Sequence, residues 1–183
     1  MASTMLVHDL RLYGNPPFIA ENTYGVDETV SITHAFNWIN HYARAKGGLN
    51  YLTFMCHGYY GGVESQSKQM STYAGGFGLQ LCAEGLTAYT IKAVNVLKGS
   101  GIKQIVIYAC GAATTEPGYE NTAGDGDRLM REIARRTGAH VMAGIELQSY
   151  DLTPPNNIMD FGKWEGTVYD YTPDNKRIPV TFL

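Results

Sequence analysis

The chain has 183 residues, with 17 acidic side chains against 14 Lys plus Arg and a formal net charge of −3. That length suits one domain, 1–183, with a sizeable core, and the near balance of charge excludes the broad basic field that non-specific nucleic-acid binding requires. With 44% hydrophobic and 17% charged residues the chain is not disordered, and its surface leans on uncharged polar groups, among 21 glycines and 13 tyrosines.

The first residues, Met1-Ala-Ser-Thr-Met-Leu-Val-His-Asp9, have neither a basic stretch nor a long apolar run, so no signal peptide is expected. No segment approaches the roughly 20 apolar residues that span a bilayer, and no membrane partner is expected. Cys56, Cys82 and Cys110 are odd in number and widely spaced, which fits a reducing compartment better than a disulfide framework. The expected location is the cytoplasm, or the outside of the cell by a route independent of a signal peptide.

Met5 to Tyr13 reads as a strand closed by Gly14-Asn-Pro-Pro17. From Thr29 to Lys46 the apolar positions Ile32, Ala35, Phe36, Ile39, Tyr42 and Ala43 fall at helical spacing, and Gly47-Gly48 stop the run. Leu49 to Cys56 is a short buried strand. Residues 59–78 are rich in Gly, Ser, Gln and Tyr and read as a surface loop, followed by a short strand over Phe77–Cys82. Thr87 is placed to cap a helix reaching Lys98, with Tyr89, Ala93, Val94 and Leu97 on one face.

The strongest strand is Lys103 to Cys110. A polar loop, 112–126, then leads to a helix over Asp127–Thr137, stopped by Gly138, and to a strand over His140–Ile145. After Thr153-Pro-Pro-Asn-Asn157, the segments Lys163–Tyr171 and Arg177–Phe182 flank a turn and predict a C-terminal β-hairpin, on the sheet edge or folded over the site. Strands alternating with helices imply an α/β fold whose mainly parallel sheet is covered on both faces.

In open parallel sheets, ligands and catalytic groups gather beyond the carboxyl ends of the strands. Two strands here end in reactive residues, one in His57-Gly58 and the other in Cys110-Gly111. If the strands are neighbours, a thiol and an imidazole share one rim, the minimum set for covalent acyl transfer. Glycines beside them admit a substrate backbone. The N–H groups of Gly58 and Cys110 are candidate donors to a developing oxyanion.

The segments Leu52-Thr-Phe-Met-Cys-His-Gly58 and Ile105-Val-Ile-Tyr-Ala-Cys-Gly111 resemble the two motifs of the caspase-like cysteine peptidases, a superfamily that includes caspases, legumain-type enzymes and gingipains. The helix and strand over Gly126–Gly144 are similar to those following the cysteine in short bacterial members. The resemblance covers residues 49–146 and implies a three-layer α-β-α sandwich and a cofactor-free cysteine endopeptidase. In it Cys110 is the nucleophile, His57 the acid and base, and Gly58 part of the oxyanion site.

That resemblance further implies a polypeptide substrate and a housekeeping or defence enzyme, or else a bacterial effector or toxin with an inhibitor or immunity protein as partner. The Gln and Arg that flank the cysteine in caspases are replaced by Tyr108 and Gly111, so neither acidic nor basic specificity carries over. Tyr108 shares a strand face with Cys110 and is expected to bind substrate. Glu146 or Asp151, just past the next strand, could restore a preference for basic residues, and Trp164 could wall a substrate groove.

Blander roles compete for the same residues. A strand-end cysteine is commonly a small hydrophobe and a lone histidine a satisfied core residue. Cys56 points opposite to His57 and is expected in the core, as is Cys82. No cysteine pair has metal-site spacing, and no metal is expected. Two other readings remain open: a non-catalytic caspase-like module that binds proteins, and a flavodoxin-like small-molecule domain, which lacks a Gly-x-Gly-x-x-Gly turn here.

Overall fold

Our computed structural model describes residues 3–59, 61–62 and 73–182. Seven strands form one sheet: β1 (Thr4–Asp9), β2 (Asn22–Val26), β3 (Leu49–Met55), β4 (Ile102–Tyr108), β5 (His140–Gly144), β6 (Val168–Tyr171) and β7 (Arg177–Pro179). Their spatial order is β7-β6-β5-β4-β3-β1-β2. The five from β2 to β5 are mutually parallel, while β6 and β7 add to the β5 edge as an antiparallel hairpin. The fold is therefore α/β with a mainly parallel sheet, and the C-terminal hairpin lies on the sheet edge.

Helix α1 (Ile32–Ala45) joins β2 to β3, a 3₁₀ segment (Ile91–Leu97) lies between β3 and β4, and α2 (Gly126–Thr137) joins β4 to β5. All three crossovers run in one direction along the sheet, so right-handedness puts all three on the same face. Ile39, Val94 and Ile133 accordingly share one core with Val7, Phe54 and Ile107. The β1–β2 connection runs the other way and covers the opposite face, together with a small antiparallel hairpin (Asp151–Thr153 with Ile158–Asp160). There Leu6, Met55, Leu12 and Met159 form a second, smaller cluster.

Local chemistry sets the element ends. The Ser31 hydroxyl accepts from the His34 N–H and caps α1, three residues later than the apolar spacing suggested. Asp125 accepts from the Arg128 N–H at the start of α2, and Gly138 takes the left-handed conformation that ends it, with φ 78°.

The helix expected from Thr87 is corrected. The Thr90 hydroxyl donates to the Gly85 carbonyl and accepts from the Thr87 N–H, so 87–90 form a turn and the 3₁₀ segment starts at Ile91. Its buried residues Ile91, Val94 and Leu97 are spaced by three, the 3₁₀ period. Tyr89, expected inward, is exposed.

Strand β2 and the 151–160 hairpin were not foreseen. Strand β2 is a short edge strand interrupted by Gly25, and the Pro-Pro pair masks the hairpin that it closes. Much of the expected 59–78 loop, Tyr60 included, lies outside the described residues. Among the described residues, no helix is long and apolar enough to cross a membrane.

Candidate functional site

Strands β3 and β4 are parallel neighbours in register from Leu49↔Ile102 to Met55↔Tyr108, so their carboxyl ends meet at one rim. The chain leaving β3 stays close: the Cys56 N–H donates to the Tyr108 carbonyl at 3.2 Å. Two residues on, a Cβ placed on Gly58 would lie 1.9 Å from the Cys110 carbonyl oxygen. Only a residue with no side chain fits that approach. His57 and Cys110 line one pocket of about 290 Å³ with Leu12, Tyr108, Tyr150 and Phe161.

His57-Gly58 pairs antiparallel with Leu79-Gln80, and the Tyr59 N–H donates to the Gly78 carbonyl at 2.8 Å. Since successive N–H groups of a strand alternate in direction, the Gly58 N–H points away from that partner strand. Among the described residues the Cys110 N–H has no hydrogen-bond acceptor. Among the described residues, then, neither of these N–H groups is used in a cross-strand hydrogen bond.

The His57 ring is held by the loop after β1. Its Nε2 lies 3.3 Å from the Arg11 carbonyl oxygen. A carbonyl can only accept, so Nε2 carries the proton, and in the neutral ring Nδ1 is left as the base.

That loop is fixed by its own polar contacts. The fully buried Asp9 carboxylate accepts from Arg11 Nε at 2.7 Å, Arg11 Nη2 at 2.6 Å and the Cys82 N–H at 3.0 Å. His8 Nε2 donates to the Leu12 carbonyl at 2.8 Å. Burial and the Asp9 charge would both oppose ionising the Cys82 thiol, whose pKa is pushed up to about 12. Cys56 is likewise core, its pKa raised first by burial.

Cys110 is half-buried and free, its Sγ against the Gln148 backbone with both N–H and carbonyl at 3.4 Å. The 146–150 segment is tied to the cysteine loop, as the Gly111 N–H donates to the Glu146 carbonyl at 2.9 Å and the Ala113 N–H to that of Gly144 at 3.1 Å. The backbone of Glu146 belongs to this support. Its exposed side chain packs against Gly166 and does not line the pocket, and neither does Asp151.

Tyr108 does line the pocket, on the face sequence alternation assigned to it. Its ring stacks on Trp164 with centroids 4.6 Å apart and lies 5.3 Å from Phe161. Burial raises the phenol pKa and keeps Tyr108 neutral.

No protein-family model, curated protein or solved structure matches the chain.

The site brings together His57, Gly58, Cys110 and Tyr108 and leaves the Glu146 carboxylate outside. Sequence reasoning missed Asp9, Arg11, Gln148 and Phe161. An acid and a base two apart at the end of β1 were a usable signal for Asp9 and Arg11, since that strand ends at the same rim. Gln148 and Phe161 carry no such signal. Nor do the 112–126 loop residues line the pocket; its walls come from the β1 loop, 148–150 and Phe161, just after the 151–160 hairpin.

Proposed function

We propose that this chain is a cysteine endopeptidase of caspase-like architecture, acting through Cys110 and His57. The supporting observation is the convergence of a half-buried thiol and a carbonyl-anchored imidazole on one pocket at the rim of β3 and β4. The seven-stranded, mainly parallel sheet supports reading the architecture as caspase-like, with helices on one face and, in place of the expected second helical layer, a loop and a hairpin on the other.

In the proposed reaction the Cys110 thiolate attacks the scissile carbonyl carbon, forming a C–S bond, while the N–H groups of Gly58 and Cys110 stabilise the oxyanion. Each such donor is typically worth ~3 kcal/mol. As the tetrahedral intermediate collapses, the C–N bond breaks and the protonated His57 gives its Nδ1 proton to the leaving amine. The same nitrogen then takes a proton from water, whose oxygen attacks the thioester and releases the acid and the thiolate. The Arg11 carbonyl holds the ring throughout, in the place that a third side chain takes in other dyad-plus-orienter sites.

A peptide-library cleavage assay with parallel iodoacetamide labelling tests the reading. Wild type cleaves, and in the native state only Cys110 alkylates, because Cys56 and Cys82 are buried. Cys110→Ala loses cleavage and His57→Ala loses both cleavage and rapid labelling. If wild type cuts nothing and Cys110 reacts no faster than Cys82, the reading fails. A non-catalytic binding module would give that second result.

A further inference from the structure

We infer that the pocket beside Cys110 selects an uncharged, apolar residue immediately before the scissile bond, with leucine or methionine preferred over aspartate, arginine or lysine. This inference rests on the peptidase reading above and adds to it the class of substrate.

The pocket that holds the Cys110 thiol has a volume of about 290 Å³. Its walls are Leu12, Tyr108, Tyr150 and Phe161, with the Gln148 and Ser149 segment along one side. Among the described residues no Asp, Glu, Lys or Arg lines it, and Asp160 lines the adjoining space that shares Tyr108, Gln148 and Phe161. A charged side chain entering such a space loses hydration and gains no ionic partner, whereas an aliphatic one exchanges water for aromatic contact.

Among the described residues, the charged groups nearest the pocket have hydrogen-bond partners of their own. Arg11 is held by the Asp9 carboxylate in a bidentate pair and also donates to the Cys82 carbonyl at 2.8 Å. The Glu165 carboxylate accepts from the N–H and hydroxyl of Ser149, and that of Asp160 accepts from the Gly162 N–H at 2.9 Å. Glu146, the acid from which a preference for basic residues might be read, lies over Gly166. Tyr108 is clamped between Trp164 and Phe161, so the aromatic wall is rigid before any substrate arrives. Rigid apolar walls select by shape and hydration, and excluding charge needs no further residue.

Peptidyl acyloxymethyl ketones that differ only in the residue next to the warhead test this. The Cys110 thiolate displaces the carboxylate of such a probe, forming a C–S bond as the C–O bond breaks and the carboxylate leaves with the electron pair. Intact mass then reports labelling without any need for turnover. The leucine probe is expected to label Cys110 faster than the alanine probe by a factor on the order of 30, the worth of burying the larger side chain, and faster than the aspartate and arginine probes by at least as much.

Phe161→Glu is expected to raise labelling by the arginine probe relative to leucine. Ser149→Glu, at an exposed position on the same pocket, serves the same purpose should the first variant fold poorly. If the arginine or aspartate probe matches or beats leucine while iodoacetamide labelling of Cys110 still depends on His57, the inference is overturned and the dyad stands. If no reagent labels Cys110 in a His57-dependent way, the peptidase reading falls and this inference with it.

Discussion

Replacing Gly58 with alanine puts one methyl group where the two reactive strand ends touch. The new Cβ would lie 1.9 Å from the Cys110 carbonyl oxygen and 3.0 Å from its carbonyl carbon, both backbone atoms that no rotamer change can move. Reaching an ordinary contact of roughly 3.5 Å requires the two segments to separate by about 1.5 Å. Gly58 is not among the residues with positive φ, so the perturbation is steric and the conformation itself is not strained.

Overpacking of this kind costs about 1–3 kcal/mol, which lowers the thermal midpoint of a chain this long by roughly 2–12 °C. The effect on chemistry is larger than that loss suggests. A misplacement of about 1 Å at a reacting pair costs on the order of 100-fold in rate. Gly58→Ala is therefore expected to stay folded at 25 °C while kcat/KM, and the His57-dependent alkylation rate of Cys110, fall about 100-fold. Thermal unfolding followed by circular dichroism gives the first quantity; peptide cleavage and mass-detected alkylation give the second. A variant that folds normally and keeps the wild-type rate would refute the claim that this close approach sets the geometry of the pair.

Two further outcomes follow from buried or capping carboxylates. At the start of α2, burial pushes the Asp125 pKa up, but hydrogen bonds from the N–H groups of Arg128 and Asn121 and the Thr115 hydroxyl outweigh it and hold the pKa below the ordinary 3.8. A depressed folded-state pKa stabilises the fold above the unfolded value and loses that contribution as the pH falls through the folded one. Asp125→Ala should cost about 1–2 kcal/mol at pH 7, with the gap from wild type closing as urea titrations are taken below pH 3.8; a pH-independent gap would contradict this. Asp9→Ala removes the buried partner of Arg11 and should cost about 3 kcal/mol in urea unfolding, because it strands a charge and the Cys82 N–H. A loss under 1 kcal/mol would show that the β1 loop does not depend on this pair.

The residues of the candidate site were legible because each follows a recognisable local pattern. Leu49–Met55 and Ile102–Tyr108 are short, mostly apolar segments bounded by glycines and rich in strand-forming residues, and the residues after them, His57-Gly58 and Cys110-Gly111, stand at a strand end by chain direction alone. Period-two alternation also assigned Tyr108 to the face it occupies. The same local logic failed where the pattern was short or irregular, as in Asn22–Val26, the Pro-Pro hairpin and the 3₁₀ segment misread as an α-helix. It failed for Glu146 as well, because proximity to a strand end says nothing about which way a loop side chain turns.

The sequence by itself determined the alternation of strands and helices, the mainly parallel sheet and the placing of a thiol and an imidazole just beyond two strand ends. All of these follow from hydrophobic period, punctuation by glycine and the handedness of crossovers, which act within a few residues or apply to every chain. Only the tertiary structure decided that the Arg11 carbonyl, 46 residues from His57, holds its ring, and that the Gln148 backbone, 38 residues from Cys110, seats its sulfur. Only the folded chain decided, too, that among the described residues no Asp, Glu, Lys or Arg stands in the walls of the pocket. These depend on which loops meet over the non-helical face, and a contact between distant loops leaves no periodic trace in the chain that forms it.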